Sequence, residues 1–196
     1  MTHDRRSPHL KDFDYSSPGP YFITTVTRGR ECLFGSISDD RMQLNEFGQI
    51  VADAWQWLGD QFPYLVLGAS IVMPDHFHGI LMIGDPPESL LATSCSGGSK
   101  WYCSGGSRPA TTGDGKESRP VPTKIKPLGQ LIGAFKTASA KRINLLRGTP
   151  GVSIWQRDFY ERLIRDEYEM NRIHLYIEAN PANWGVDKDD LILWKM

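Results

Sequence analysis

Ile71-Val72-Met73-Pro74-Asp75-His76-Phe77-His78-Gly79-Ile80-Leu81-Met82-Ile83 is two apolar runs folded about a proline–aspartate pair. Pro and Asp together favour a tight turn, so the stretch predicts two strands, Tyr64 to Met73 and His76 to Ile83, meeting as a hairpin. Side chains alternate across a strand, so His76 and His78 share one face while Phe77 points the other way into packing. The same alternation aims Asp75 away from both imidazoles. Two neutral imidazoles side by side on a rigid strand can hold one divalent cation. Two partly exposed strand histidines with no ligand satisfy the spacing equally well.

Working outward, residues 1–19 are polar, end in Ser16-Ser17-Pro18-Gly19-Pro20, and read as a flexible N-terminal arm. Tyr21 to Thr27 is rich in β-branched and aromatic residues and predicts a first strand. From Asp40 to Gln61, Leu44, Phe47, Val51, Ala54, Trp55 and Leu58 recur at helical spacing, with Ser38 or Asp39 as the cap. Residues 85–123 change character, with two copies of Cys-Ser-Gly-Gly-Ser and several prolines, and read as a low-complexity insertion. Leu128, Leu131, Ile132, Phe135 and Ala138 mark a second helix reaching about Leu146. Ile154 to Ile164 reads as the last strand, anchored by Trp155, Phe159 and Leu163. A third helix runs from about Glu167 to Ala179 and stops at Asn180-Pro181. The order β-α-β-β-α-β-α is α+β: a ferredoxin-like, RRM-like split βαβ antiparallel sheet with an added C-terminal helix. It makes one domain over residues 20–186, followed by an acidic tail, 187–196.

At 196 residues, with 40% hydrophobic and 11% aromatic side chains, the chain can bury a real core. No apolar run reaches the roughly 18–20 residues of a membrane span. No apolar stretch follows Met1-Thr2-His3-Asp4-Arg5-Arg6, so no signal peptide is expected, and the cytoplasm is the expected compartment. Cys32, Cys95 and Cys103 form no disulfide pattern, and the spacing of the last two is wrong for a zinc hairpin. A net charge of −1 argues against a polyanionic partner, but its distribution does not. Residues 121–165 hold nine basic side chains against Asp158 and Glu161, a net +7. Lys124, Lys126, Lys136, Lys141, Arg142, Arg157 and Arg165 are the candidates from this block for phosphate contacts, which act locally. A solvated helix face is the plainer explanation.

The third helix carries Tyr176 and, one turn on, Asn180, so a phenol and an amide share one face. If that helix lies over the histidine strand, one site holds two imidazoles, an amide oxygen and a tyrosine. A divalent ion there polarises a phosphoryl group, and the phenol is a nucleophile for phosphorus. Tyr160, on a strand, and Tyr168, near a helix start, are rival nucleophiles. His174 falls almost opposite Tyr176 and reads as surface or packing. Trp155 and Phe159 are candidates for stacking unpaired bases, or simply core.

Six segments in order resemble the single-tyrosine HUH transposases, and within them the REP-associated tyrosine transposases. They are Phe22-Ile23-Thr24, Met73 to Gly79, Phe135-Lys136-Thr137, Ile154 to Tyr160, Ile164-Arg165-Asp166-Glu167 and Tyr176 to Pro181. The resemblance implies an enzyme that cleaves and rejoins single-stranded DNA, commonly at hairpin or inverted-repeat sequences. The reaction passes through a 5′-phosphotyrosine intermediate and requires Mg2+ or Mn2+. It places Tyr176 as the nucleophile and His76, His78 and Asn180 as the metal ligands. It leaves open whether the tyrosine helix completes its own chain's site or that of a second copy in a homodimer. The insertion at 85–123 and the short C-terminus depart from the family pattern and bear on DNA choice. Two other classes stay open on the residues alone. One is a non-cleaving nucleic-acid-binding module on an RRM-like sheet, such as a domesticated transposase. The other is a metal-dependent hydrolase that adds Asp75 to the two histidines.

Overall fold

The computed structural model describes residues 17–84 and 125–185. The arm before residue 17, the insertion with Cys95 and Cys103, Lys124 and the acidic tail lie outside the described residues. Four strands form an antiparallel sheet, β1 (Gly19–Val26), β4 (Leu65–Val72), β5 (His76–Ile83) and β6 (Tyr160–Leu163), in the order β4-β5-β1-β6. Helices α1 (Glu46–Gln61) and α2 (Leu128–Arg147) make the two βαβ crossovers, and α3 (Glu167–Ala179) follows β6. This is the ferredoxin-like order expected from the sequence.

The two sheet faces are covered differently. Tyr21, Ile23, Phe77, Leu81 and Ile83 face α1 and α2, and join Val51, Trp55, Leu58, Leu131, Ile132 and Phe135 in the larger core. Gly79 belongs to this face. A Cβ there would meet Trp55 Cζ2 and Phe77 Cε1 at 2.8 Å, so the motif's glycine makes room for the Trp55–Phe77 contact. Phe22 and Ile80 point the other way, against Ile164 and the α3 residues Met170, Ile173 and Ile177.

Three boundaries differ from expectation. Residues 35–44 do not start the first helix. They form a small hairpin, β2 (Gly35–Ser38) and β3 (Arg41–Leu44), whose two-residue loop has Asp39 and Asp40 at φ 52° and 55°. Positive φ at both positions is the type I′ turn that matches strand twist. The helix begins after it, capped by Asn45, whose side chain accepts from the Gly48 amide at 3.0 Å. The last strand is also shorter than expected, starting at Tyr160. Trp155 makes only an isolated bridge to Thr27. The Lys136 ammonium donates to the carbonyls of Gln156, Arg157 and Asp158, at 2.5, 3.0 and 3.3 Å, and draws these oxygens out of any ladder. Finally, β1 begins at Gly19, and Tyr21 Oη donates to the Ser17 carbonyl at 2.9 Å, so the end of the N-terminal arm runs into the sheet.

Candidate active site

β1 and β5 pair in a register that sets Thr24 opposite His78 and Val26 opposite His76. Both imidazoles lie on the α3 face, as alternation requires. Their rings meet edge to face, centroids 4.6 Å apart. His78 is buried at 3% exposure, its ring stacked on Phe22 at 5.4 Å. Its Nδ1 lies 2.8 Å from Thr24 Oγ1, and its Nε2 lies 3.3 Å from Tyr176 Oη. The tyrosine helix therefore reaches the histidine strand within one chain.

Helix α3 is held at both ends of this span. Asp166 caps it by accepting from the Glu169 amide at 2.7 Å. Glu169 in turn takes the Arg162 side chain at 2.5 Å and the Arg165 amide at 2.9 Å, which ties the helix start to β6. From there Met170, Ile173 and Ile177 pack on the sheet, and the same face brings Tyr176 over His78. Asn180, at the helix end, hydrogen-bonds the Tyr176 side chain. All four residues singled out for chemistry converge.

Their electrostatics follow from burial. Desolvation, then the nearby His76, lowers the His78 pKa well below 6.5, so this ring is neutral and keeps a lone pair at neutral pH. Desolvation raises the Tyr176 pKa above 10, and the Asn180 hydrogen bond offsets part of that rise. The phenol is protonated at rest and lies within hydrogen-bond distance of His78 Nε2, while Thr24 Oγ1 partners His78 Nδ1.

Asp75 does not point away from the imidazoles. Alternation lapses in the turn, and its Oδ1 lies 2.5 Å from His76 Nδ1 while Oδ2 meets Arg30 Nη1 at 3.5 Å. Sequence reasoning also missed Trp184, whose ring stacks on His76 at 5.9 Å, and the roles of Phe22 and Thr24. The fixed spacing of Thr24 from the family-like Phe22-Ile23-Thr24 segment was the available signal for the last two. No metal-ligating pattern flagged Trp184.

Nδ1 of each imidazole is engaged, so an ion would be taken through Nε2, which on His78 means displacing the Tyr176 hydroxyl; Asn180, bonded to that hydroxyl, is the adjacent amide. Among the described residues, no three His, Cys, Asp or Glu side chains gather around a common point. The candidate donor set is two ring nitrogens, with the Asn180 amide as the third group. It fits a divalent ion that keeps open positions for substrate oxygens.

Among the described residues, the basic candidates do not all fall in one patch, although Lys136, Lys141 and Arg157 line a common groove. Lys126 lies over Phe62 at 5.0 Å, beside the start of β4. The Lys136 ammonium is committed to the three carbonyls. Lys141 and Arg142 are exposed on α2, which covers the face opposite the histidines, and Lys141 and Arg157 line a groove between α2 and the 150–159 loop. Arg165 is exposed between β6 and α3, next to the tyrosine helix. Trp155 is core, 4% exposed, with its Nε1 donating to Ser139 Oγ at 3.0 Å. Tyr160 sits opposite Thr24 and is 40% exposed, on the histidine face but one strand beyond it. Tyr168 is exposed on the first turn of α3, and His174 is half-buried.

No family model matches the sequence. An uncharacterized protein of Haemophilus influenzae is 31% identical over 193 residues, spanning 95% of this chain and 93% of that protein. This chain belongs to the same family. Among solved structures, a REP-associated tyrosine transposase bound to a REP hairpin superposes with a TM-score of 0.51 at 18% identity, covering 96% of this chain and 77% of the other. The fold is that of a REP-associated tyrosine transposase. No described helix is long and apolar enough to cross a membrane.

Proposed function

We propose that the protein is a DNA transposase or single-strand endonuclease that cleaves and rejoins DNA through Tyr176. The observation that carries this reading is Tyr176 Oη at 3.3 Å from His78 Nε2, a phenol resting on one of a pair of imidazoles. The shared fold with a hairpin-bound transposase supports hairpin-containing single-stranded DNA as the substrate.

His76, His78 and Asn180 hold the ion, Mg2+ or Mn2+. When bound, it polarises the scissile phosphoryl group and stabilises charge building on its oxygens. Tyr176 Oη gives up its proton and forms the new O–P bond as the 3′-oxygen leaves and takes up a proton, so the strand ends as a 5′-phosphotyrosine and a free 3′-hydroxyl. A phenol with a raised pKa is a poor nucleophile unless charge on the phosphate is neutralised, so the ion and the tyrosine work only together. Asn180 orients the phenol through their hydrogen bond, and Thr24 orients His78.

The test is cleavage of a labelled single-stranded hairpin oligonucleotide with Mg2+ or Mn2+, and with chelator. Metal-dependent nicking with a free 3′-hydroxyl supports the reading. Tight binding across varied hairpins without any nicking favours the non-cleaving module instead.

A further inference from the structure

We propose that Asp75 is a positioning residue: its carboxylate sets the tautomer and orientation of His76, so that Nε2 alone is offered to the ion. This rests on the metal reading above and adds a residue to it.

Asp75 is 1% exposed, and its backbone ties the turn to Thr27: the Asp75 carbonyl accepts from the Thr27 amide at 2.8 Å and from Thr27 Oγ1 at 3.0 Å. A buried carboxylate is costly unless its oxygens are used. One oxygen lies 2.5 Å from His76 Nδ1 and the other faces Arg30 at 3.5 Å. A carboxylate only accepts hydrogen bonds, so the proton of this pair sits on Nδ1. Nε2 is then the atom with the free lone pair.

The rest of the ring is braced by its neighbours. The Trp184 indole stacks on it at 5.9 Å with 27° between planes, and the His78 ring meets it at 73°. The His76 side chain is 14% exposed. His76 is the less buried of the two imidazoles. Without Asp75 its ring could flip or adopt the other tautomer, and either change removes Nε2 as a ligand. Carboxylate partners of ligating histidines are worth about 10–100-fold in metal affinity in general.

The experiment uses the full chain without DNA. Long-range 1H–15N spectra at a pH where the rings are neutral should show His76 protonated on Nδ1 in the native protein, and shifted toward Nε2–H in Asp75→Ala. Mn2+ titration followed by electron paramagnetic resonance should show binding weakened by about 10–100-fold in Asp75→Ala and less in Asp75→Asn, which keeps an acceptor oxygen. The metal-free melting temperature of Asp75→Asn should stay within a few degrees of the native value. A native His76 carrying its proton on Nε2 overturns the proposal. So does Asp75→Ala binding Mn2+ as tightly as native protein while His76→Ala binds it weakly. If His76→Ala also binds Mn2+ unchanged, the metal reading itself has failed, and the role of Asp75 falls with it.

Discussion

One sheet presents two unlike faces. Toward α1 and α2 it offers Tyr21, Ile23, Phe77, Leu81 and Ile83, locked against Trp55 and Phe135 in a continuous aromatic and aliphatic core. Toward α3 it offers Phe22 and Ile80 at one end and Thr24, His78 and His76 at the other, under a single amphipathic helix. The first face buries large, mostly apolar side chains, with the Tyr21 hydroxyl donating to the Ser17 carbonyl. The second places polar groups where burial tunes them, each with a partner. The larger core lies on one side and the proposed chemistry on the other, so the two should respond differently to substitution.

The largest expected effect is on chemistry. His76→Ala should lower metal-dependent cleavage by about a hundredfold or more, with a smaller loss of stability, about 1–3 kcal/mol, from leaving one buried Asp75 oxygen without its partner. A larger loss of stability would mean that the α3 face is structural after all. Phe135→Ala should do the reverse, costing about 3–5 kcal/mol of stability by denaturant titration, since Phe135 is fully buried among Trp55, Phe77 and Trp155. Lys136→Met should cost less, about 1–3 kcal/mol, through release of the three carbonyls of residues 156–158. It should also leave DNA affinity almost unaltered, because that ammonium is not available to phosphate. A large fall in affinity for single-stranded DNA, with intact folding, would restore Lys136 to the DNA surface.

The smallest effect concerns pH. The folded-state pKa of His78 is depressed, so the unfolded chain takes up a proton near pH 6.5 that the folded chain refuses. Metal-free stability should therefore hold above that pH and decline as acid is added below it. His78→Gln should show a shallower decline in urea midpoint between pH 7 and 5. An equal decline in both proteins would show that burial of this ring contributes nothing to acid sensitivity.

Much of this division was legible in the sequence because it follows local rules. The period of two through Ile71 to Ile83 separates His76 and His78 from Phe77, and the i, i+4 spacing aligns Tyr176 with Asn180. What escaped depends on choices that local rules leave degenerate. Asp39-Asp40 reads equally as a helix cap or as a type I′ turn, and only the pairing of Ser36 with Gln43 decides it. Residues 154–159 have strand-like composition, but a lysine some twenty positions earlier takes their carbonyls. Asp75 was aimed away from the histidines by an alternation that stops at a turn. Trp184 reaches His76 only because the chain bends back after Pro181.

The most direct test is to locate the covalent bond. Native protein, Mn2+ and a single-stranded hairpin oligonucleotide are quenched in denaturant, digested, and the DNA-linked peptide is sequenced by mass spectrometry. The account predicts a phosphodiester to Tyr176, absent from Tyr176→Phe protein that still folds and still binds the oligonucleotide. DNA attached to Tyr160 or Tyr168, or an adduct that persists in Tyr176→Phe, would contradict it.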